Sequence, residues 1–135
     1  MSSQIYLNLA VRDLDRSVDF FEKLGYSFNP DFTNEQGACM VVSDSIYVML
    51  LTEGFFQTFT RKPLSDATKA TEAIVCLSMD SSNAVDAIVS KAVAAGAKTH
   101  FDASDQGFMY GHGFEDLDGH LWEFVHMKPG AVPNC

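Results

Sequence analysis

Two stretches of this chain, about 70 residues apart, follow one order of elements, and that doubling constrains the fold more than any single motif. In the first, residues 4–11 alternate, with Ile5, Leu7, Leu9 and Val11 on one face and Gln4, Tyr6, Asn8 and Ala10 on the other. A period of two marks a strand. Asp13 is a good N-cap for a helix whose apolar stripe is Leu14, Val18, Phe21 and Leu24. Gly25 closes that helix, because glycine takes a left-handed position without steric cost. Two apolar runs, 38–42 and 46–51, flank Ser43, Asp44 and Ser45 and read as a hairpin. In the second stretch, residues 73–79 form an apolar strand, Ser81 or Ser82 caps, and a helix over 84–95 buries Val85, Ile88, Val89 and Ala92. Gly96 ends it. A weak strand is expected around 98–101, then strands over 111–115 and 120–126 about Asp118-Gly119, a strong hairpin signal between apolar runs. Ile5 and Ile74 lie 69 positions apart and Gly25 and Gly96 lie 71 apart, so a strand–helix–hairpin unit is repeated.

The expected fold is α+β: two tandem βαβββ units forming a cupped mixed β-sheet with the helices on the outer face. With 135 residues the chain has the length of a single domain. Its first unit spans about 4–53, a linker about 54–71 and its second unit about 72–128. The linker is polar with an aromatic cluster, Phe55, Phe56 and Phe59, expected to cap one end of the sheet. A chain this long buries about two thirds of its unfolded surface and needs no cross-links to fold. Three cysteines (Cys39, Cys76, Cys135) without a C-x-x-C pair argue against a disulfide framework or a thiolate zinc site. No leader is visible in Met1-Ser2-Ser3-Gln4, and the longest apolar runs fall far below the ~20 residues of a membrane span. A reduced, cytoplasmic protein is expected. The net charge of −9 opposes binding to phosphate backbones and anionic lipid, so no nucleic acid and no membrane are expected as partners.

Two motifs carry a resemblance. The run LAVRDLDRSVDFFEKLGY near the start and FEDLDGHLWEFV near the end resemble the vicinal oxygen chelate superfamily, the group of glyoxalase I, bleomycin-resistance proteins, fosfomycin-resistance enzymes and extradiol dioxygenases. The resemblance covers about residues 5–127 and is closest to small bacterial lactoylglutathione-lyase-like proteins. It implies a cavity face on which four positions hold a divalent metal. Those positions fall at Tyr6, Leu50, Ile74 and Glu123, and only Glu123 keeps its type. Divalent ions need several oxygen or imidazole donors at once. Leu50 and Ile74 can donate nothing, and a phenol with a pKa near 10 is a poor ligand. No metal or other cofactor is therefore expected at the usual site. The resemblance also implies a homodimer, which would cover an otherwise open sheet edge.

Glu123 is the leading functional candidate. A carboxylate between Leu121 and Val125 is expensive to bury unless paired, and desolvation would push its pKa up, as suits a general base or acid. Tyr6 and Asn8 share a face and are expected to partner it, with Met49, Leu50, Ile74 and Phe108 as apolar wall. His120, Glu123 and His126 spell H-x-x-E-x-x-H, but on a strand the two histidines face away from the glutamate. Alternation groups Phe108, Tyr110, His112 and Phe114. If that face is the cavity, His112 is a proton donor or acceptor; otherwise it is a hydrogen-bonded, half-buried histidine. Gly111-x-Gly113 lacks the third glycine of a dinucleotide fingerprint. Cys76 shares a face with Ile74 and Ser78 and, without an adjacent base, reads as packing. Met40, Met49, Met79 and Met109 read as core fillers, one or two of them lining a pocket.

The leading functional reading is a small-molecule-binding protein of the glyoxalase/bleomycin-resistance type with a degenerate metal site. Sixteen aromatic residues and the negative charge suit a cationic or aromatic guest. The alternative is a lyase, isomerase or dioxygenase of the same superfamily, with Glu123 as base and Tyr6 or His112 as acid. A dimeric scaffold with neither activity is the third.

Overall fold

A computed structural model describes residues 3–130, so Met1, Ser2 and Cys135 lie outside the described part. The chain divides into two compact units, Met1–Ser65 and Asp66–Cys135. Each is a four-stranded mixed sheet with one long helix, which makes the fold α+β with two βαβββ units.

The first unit runs β1 (Ile5–Val11), α1 (Leu14–Lys23), β2 (Ser27–Asn29), β3 (Gly37–Val41) and β4 (Ile46–Thr52), in sheet order β1-β4-β3-β2. α1 starts where expected because the Asp13 carboxylate accepts the Arg16 N–H at 3.1 Å. It stops at Gly25, whose φ of +106° is left-handed. The buried stripe is Leu14, Ser17, Phe20 and Phe21, with Phe20 and Phe21 edge to face at 4.9 Å. β1 and β4 pair in parallel, Leu7 with Val48 and Leu9 with Leu50, which sets the face that α1 covers. A short strand, β2, joins the sheet through Phe28 and Met40; three residues are too few to show a period. The expected linker begins as α2 (Glu53–Phe56), which packs on β1 and β4, followed by a 3₁₀ turn over Gln57–Phe59 that packs on α2.

The second unit runs β5 (Ile74–Ser78), α3 (Ser82–Ala94), β6 (Ser104–Asp105), β7 (Met109–Glu115) and β8 (Leu121–Met127), in order β5-β8-β7-β6. Ser81 is the cap, its Oγ accepting the Ala84 N–H at 3.0 Å. α3 buries Val85, Ile88, Val89 and Ala92 against β7 and β8, over a core of Phe114, Trp122 and Phe124. Each valine, isoleucine or phenylalanine among them, fully buried, contributes about 1.5–3 kcal/mol. The strand expected at 98–101 shrinks to one bridge, Lys98 with Glu115, and the strand pairing β7 is β6. Residues 99–103 offer one large apolar side chain, Phe101, and it is 87% exposed, so no apolar face drives a strand there.

Between β7 and β8 the Asp-Gly signal becomes a locked turn. Gly119 has φ +93°, and a Cβ there would come within 2.6 Å of the Ala67 backbone. The Asp116 carboxylate accepts N–H groups of Asp118 (2.9 Å) and His120 (3.0 Å) and the indole Nε1–H of Trp122 (2.9 Å). Burial pushes its carboxyl above the ordinary range in spite of those donors and of His120. Among the described residues no helix is long and apolar enough to cross a membrane.

Candidate functional site

The open face of the second sheet is built by alternation. β8 turns Trp122 and Phe124 to the core and leaves Leu121, Glu123 and Val125 on the opposite face. β5 adds Ile74, Cys76 and Ser78 there, Cys76 in register with Glu123. β7 adds almost nothing, because the residues opposite Glu123 and Val125 are Gly113 and Gly111. Two missing side chains in mid-sheet leave a hollow of about 780 Å³. Ile74, Met109, Leu121 and Val125 form apolar walls, Glu123 stands on the floor, and the 100–106 segment with Phe101 and Asp102 forms the rim.

The charges of the hollow have one sign. Glu123 and Asp102 line it and no lysine or arginine does. Glu123 is exposed, so the burial expected to perturb it is not what the structure shows. Beside it the Cys76 thiol is pushed up, first by burial and then by the Glu123 charge, which keeps it protonated and unreactive at neutral pH. The rim is held by side chains: His100 Nε2 lies 2.7 Å from Glu115 Oε1, and Lys128 Nζ donates to both Asp105 oxygens at 2.8 and 3.0 Å.

His112 is among the residues that line the hollow. The face it shares with Tyr110 and Phe114 is the helix side, where Tyr110 donates to Asp86 of α3 at 2.6 Å and Phe114 is buried. Its register partner is Phe124, one step out of phase with Glu123, and its Nε2 sits 3.3 Å from the Phe101 carbonyl. It is a hydrogen-bonded, half-buried histidine beside the rim, one residue of register away from the position opposite Glu123. His126 likewise lies on the other face, its Nδ1 3.0 Å from the Met79 carbonyl.

Leu50 corrects one expectation. It is fully buried opposite Leu9, on the side that α1 covers, and does not line the hollow. The open face of the first sheet carries Tyr6, Asn8, Tyr47 and Met49 instead. One residue of offset changes the face, and the 69-residue spacing is odd: it equates Ile5, on the helix side, with Ile74, on the open side. The Tyr6 hydroxyl donates to Gln4 Oε1 at 3.0 Å and its ring stacks on Tyr47 at 5.0 Å and 11°. Asn8 donates to the Tyr6 carbonyl at 3.2 Å. Phe108 is exposed, accepts the Lys128 N–H through its carbonyl, and does not line the hollow; Phe101 does. Phe101 and the two floor glycines are the residues that sequence reading passed over. The register about the Asp-Gly turn was the signal for the glycines.

A divalent cation does not fit the donors present. Of the four positions that the resemblance implies, Ile74 and Leu50 are hydrocarbon, Tyr6 is engaged with Gln4, and Glu123 alone is a carboxylate. Among the described residues no three His, Cys, Asp or Glu side chains gather as ligands.

Residues 5–43 match the family model described as bleomycin resistance protein-like N-terminal. No curated protein matches the sequence. Among solved structures, the chain is similar to the hypothetical protein SA1046 from S. aureus, with TM-score 0.79 and 27% identity over 93% of this chain and 95% of that one. It is similar to a glyoxalase/bleomycin resistance protein/dioxygenase family enzyme from Burkholderia phytofirmans PsJN, with TM-score 0.78 and 15% identity over 94% and 100%. A genomically encoded fosfomycin resistance protein, FosX, from Listeria monocytogenes gives TM-score 0.69 and 16% identity over 96% of both. Identities of 15% and 16% speak for the fold alone.

Proposed function

We propose that this chain, which has the two-unit fold and the N-terminal signature of the vicinal oxygen chelate superfamily, binds a small cationic, aromatic molecule in the hollow of its second sheet. One observation carries the reading: a hollow of about 780 Å³ with apolar walls, whose lining holds two carboxylates and no basic residue other than histidine. Covering Ile74, Leu121 and Val125 removes apolar surface from water at about 25 cal/mol per Å². The exposed Glu123 carboxylate is placed to accept a charge-assisted hydrogen bond from an ammonium or amidinium group. Phe101 at the rim supplies a face for a ring or a cation, and the net charge of −9 raises the rate of encounter.

The reading is sequestration rather than turnover. The Cys76 thiol beside Glu123 is held protonated and offers no nucleophile, while the apolar walls and the bare floor suit holding a guest. A homodimer belongs to the same proposal: β1 and β5 are edges of their sheets, and Ile5 and Ile74 stand 54% and 52% exposed on them, surface that a second copy would cover.

Methyl NMR tests the site. Titration with benzylamine, a cation at neutral pH, should move the methyl signals of Ile74, Leu121 and Val125, and benzoate at the same concentration should not. Equal responses to both, or shifts confined to the first unit, would overturn the reading.

A further inference from the structure

The floor of the hollow contains two glycines that are there for different reasons. Neither has a positive φ, so backbone conformation demands neither. At Gly113 a Cβ would stand 2.3 Å from the Trp122 carbonyl oxygen and 3.1 Å from Glu123 Cγ. β8 approaches too closely for any side chain, and the fold itself requires glycine. At Gly111 a Cβ would meet only Val125 Cγ1 at 3.3 Å and the Phe124 carbonyl at 3.6 Å. A side chain fits there with a small shift of one valine methyl. Gly111 also sits mid-sheet, paired with Ser104 on one side and Val125 on the other, where glycine weakens a strand and a β-branched residue strengthens it. The sheet would gain from a side chain at 111, and the chain does without one.

We infer that Gly111 is a specificity-determining residue of the hollow, left bare so that a flat ring can lie on the β7 backbone beside Val125. The inference rests on the reading that the hollow binds a small molecule, and it narrows the class of ligand. Gly111 and Gly113 are two residues, about 7 Å, apart on one strand, so the bare floor at Gly111 lies about that far along the strand from the position opposite Glu123. A fused two-ring system carrying an aminomethyl group spans that distance with its ring on Gly111 and its ammonium at Glu123. A single ring reaches the carboxylate without using the floor.

The test compares 2-naphthylmethylamine, whose second ring extends away from the ammonium, with benzylamine, by calorimetry, on wild type, Gly111→Ala and Gly111→Val. Wild type should prefer the naphthyl amine. Gly111→Val should weaken the naphthyl amine about tenfold or more and benzylamine far less, so that the preference collapses, with an unchanged or raised melting temperature. Gly111→Ala should fall between, and it carries the test if the valine variant fails to fold. A folded Gly111→Val or Gly111→Ala protein that keeps the wild-type preference overturns the role of Gly111 while leaving the hollow as a binding site. A wild-type protein that binds neither amine overturns the hollow reading and this inference with it.

Discussion

Asp116→Ala should cost this chain more stability than any surface substitution, and the structure supplies the reasons. The carboxylate is 7% exposed and accepts three N–H groups, from Asp118, His120 and the indole of Trp122, at 2.9–3.0 Å. Trp122 is 1% exposed, so truncating Asp116 strands a buried donor, at about 1–3 kcal/mol. The Asp118 and His120 amides lose partners in the same turn, each at about 1 kcal/mol where water can partly replace them. Removing a carboxyl that burial disfavours in its charged form returns part of that loss. A net loss of about 3 kcal/mol is a large share of the 5–15 kcal/mol by which a folded domain is stable, and corresponds to about 10 °C in Tm. Trp122 is the one tryptophan in the chain, so its fluorescence during thermal unfolding reads this turn directly. Trp122→Phe in both backgrounds completes a double-mutant cycle, with a coupling of about 1–2 kcal/mol expected. An Asp116→Ala protein melting within about 2 °C of wild type, or a cycle without coupling, would refute the structural role given to this carboxylate.

Two further outcomes follow from titrating groups. Because burial holds Asp116 above the ordinary aspartate range, the folded chain binds its proton more tightly than the unfolded chain does. The stability it contributes is complete below the unfolded value of about 3.9 and is lost as pH rises through the higher folded one. Wild-type Tm relative to Asp116→Asn should accordingly fall between about pH 3.5 and neutrality, and a gap that widens instead would contradict the assignment. Cys76 is exposed, yet its raised thiol should make alkylation by iodoacetamide at pH 7 slower than that of a free thiol, with Glu123→Gln speeding it modestly. A fast reaction in wild type would show that the thiol is activated.

The repeated strand–helix–hairpin unit was legible in the sequence because each signal was local: Asp13 and Ser81 as caps, Gly25 and Gly96 as left-handed ends, Asp118-Gly119 as a turn. Which face of a strand meets the helix was not local. Alternation grouped Tyr110, His112 and Phe114 correctly, but only the packing of α3 shows that their side is the covered one. Leu50 failed for the same reason, since one residue of register decides between wall and core. β2 and β6, three and two residues long, have no period to read. Gly111-x-Gly113 lacks the third glycine of a dinucleotide fingerprint and as a local motif says nothing. Its meaning lies in what stands opposite on β8, and that becomes visible only once the hairpin register is known.

If Glu123 anchors a cation in the hollow of the second sheet, removing its charge must weaken binding. Calorimetry of benzylamine against wild type and Glu123→Gln tests it most directly, because the substitution keeps the shape of the side chain and removes its charge. Loss of an ionic hydrogen bond of about 1.5–3 kcal/mol predicts affinity weaker by about ten- to a hundredfold, with an unchanged melting temperature. Equal affinity in the two proteins would mean that Glu123 takes no part in binding and that the cation, if held at all, is held elsewhere.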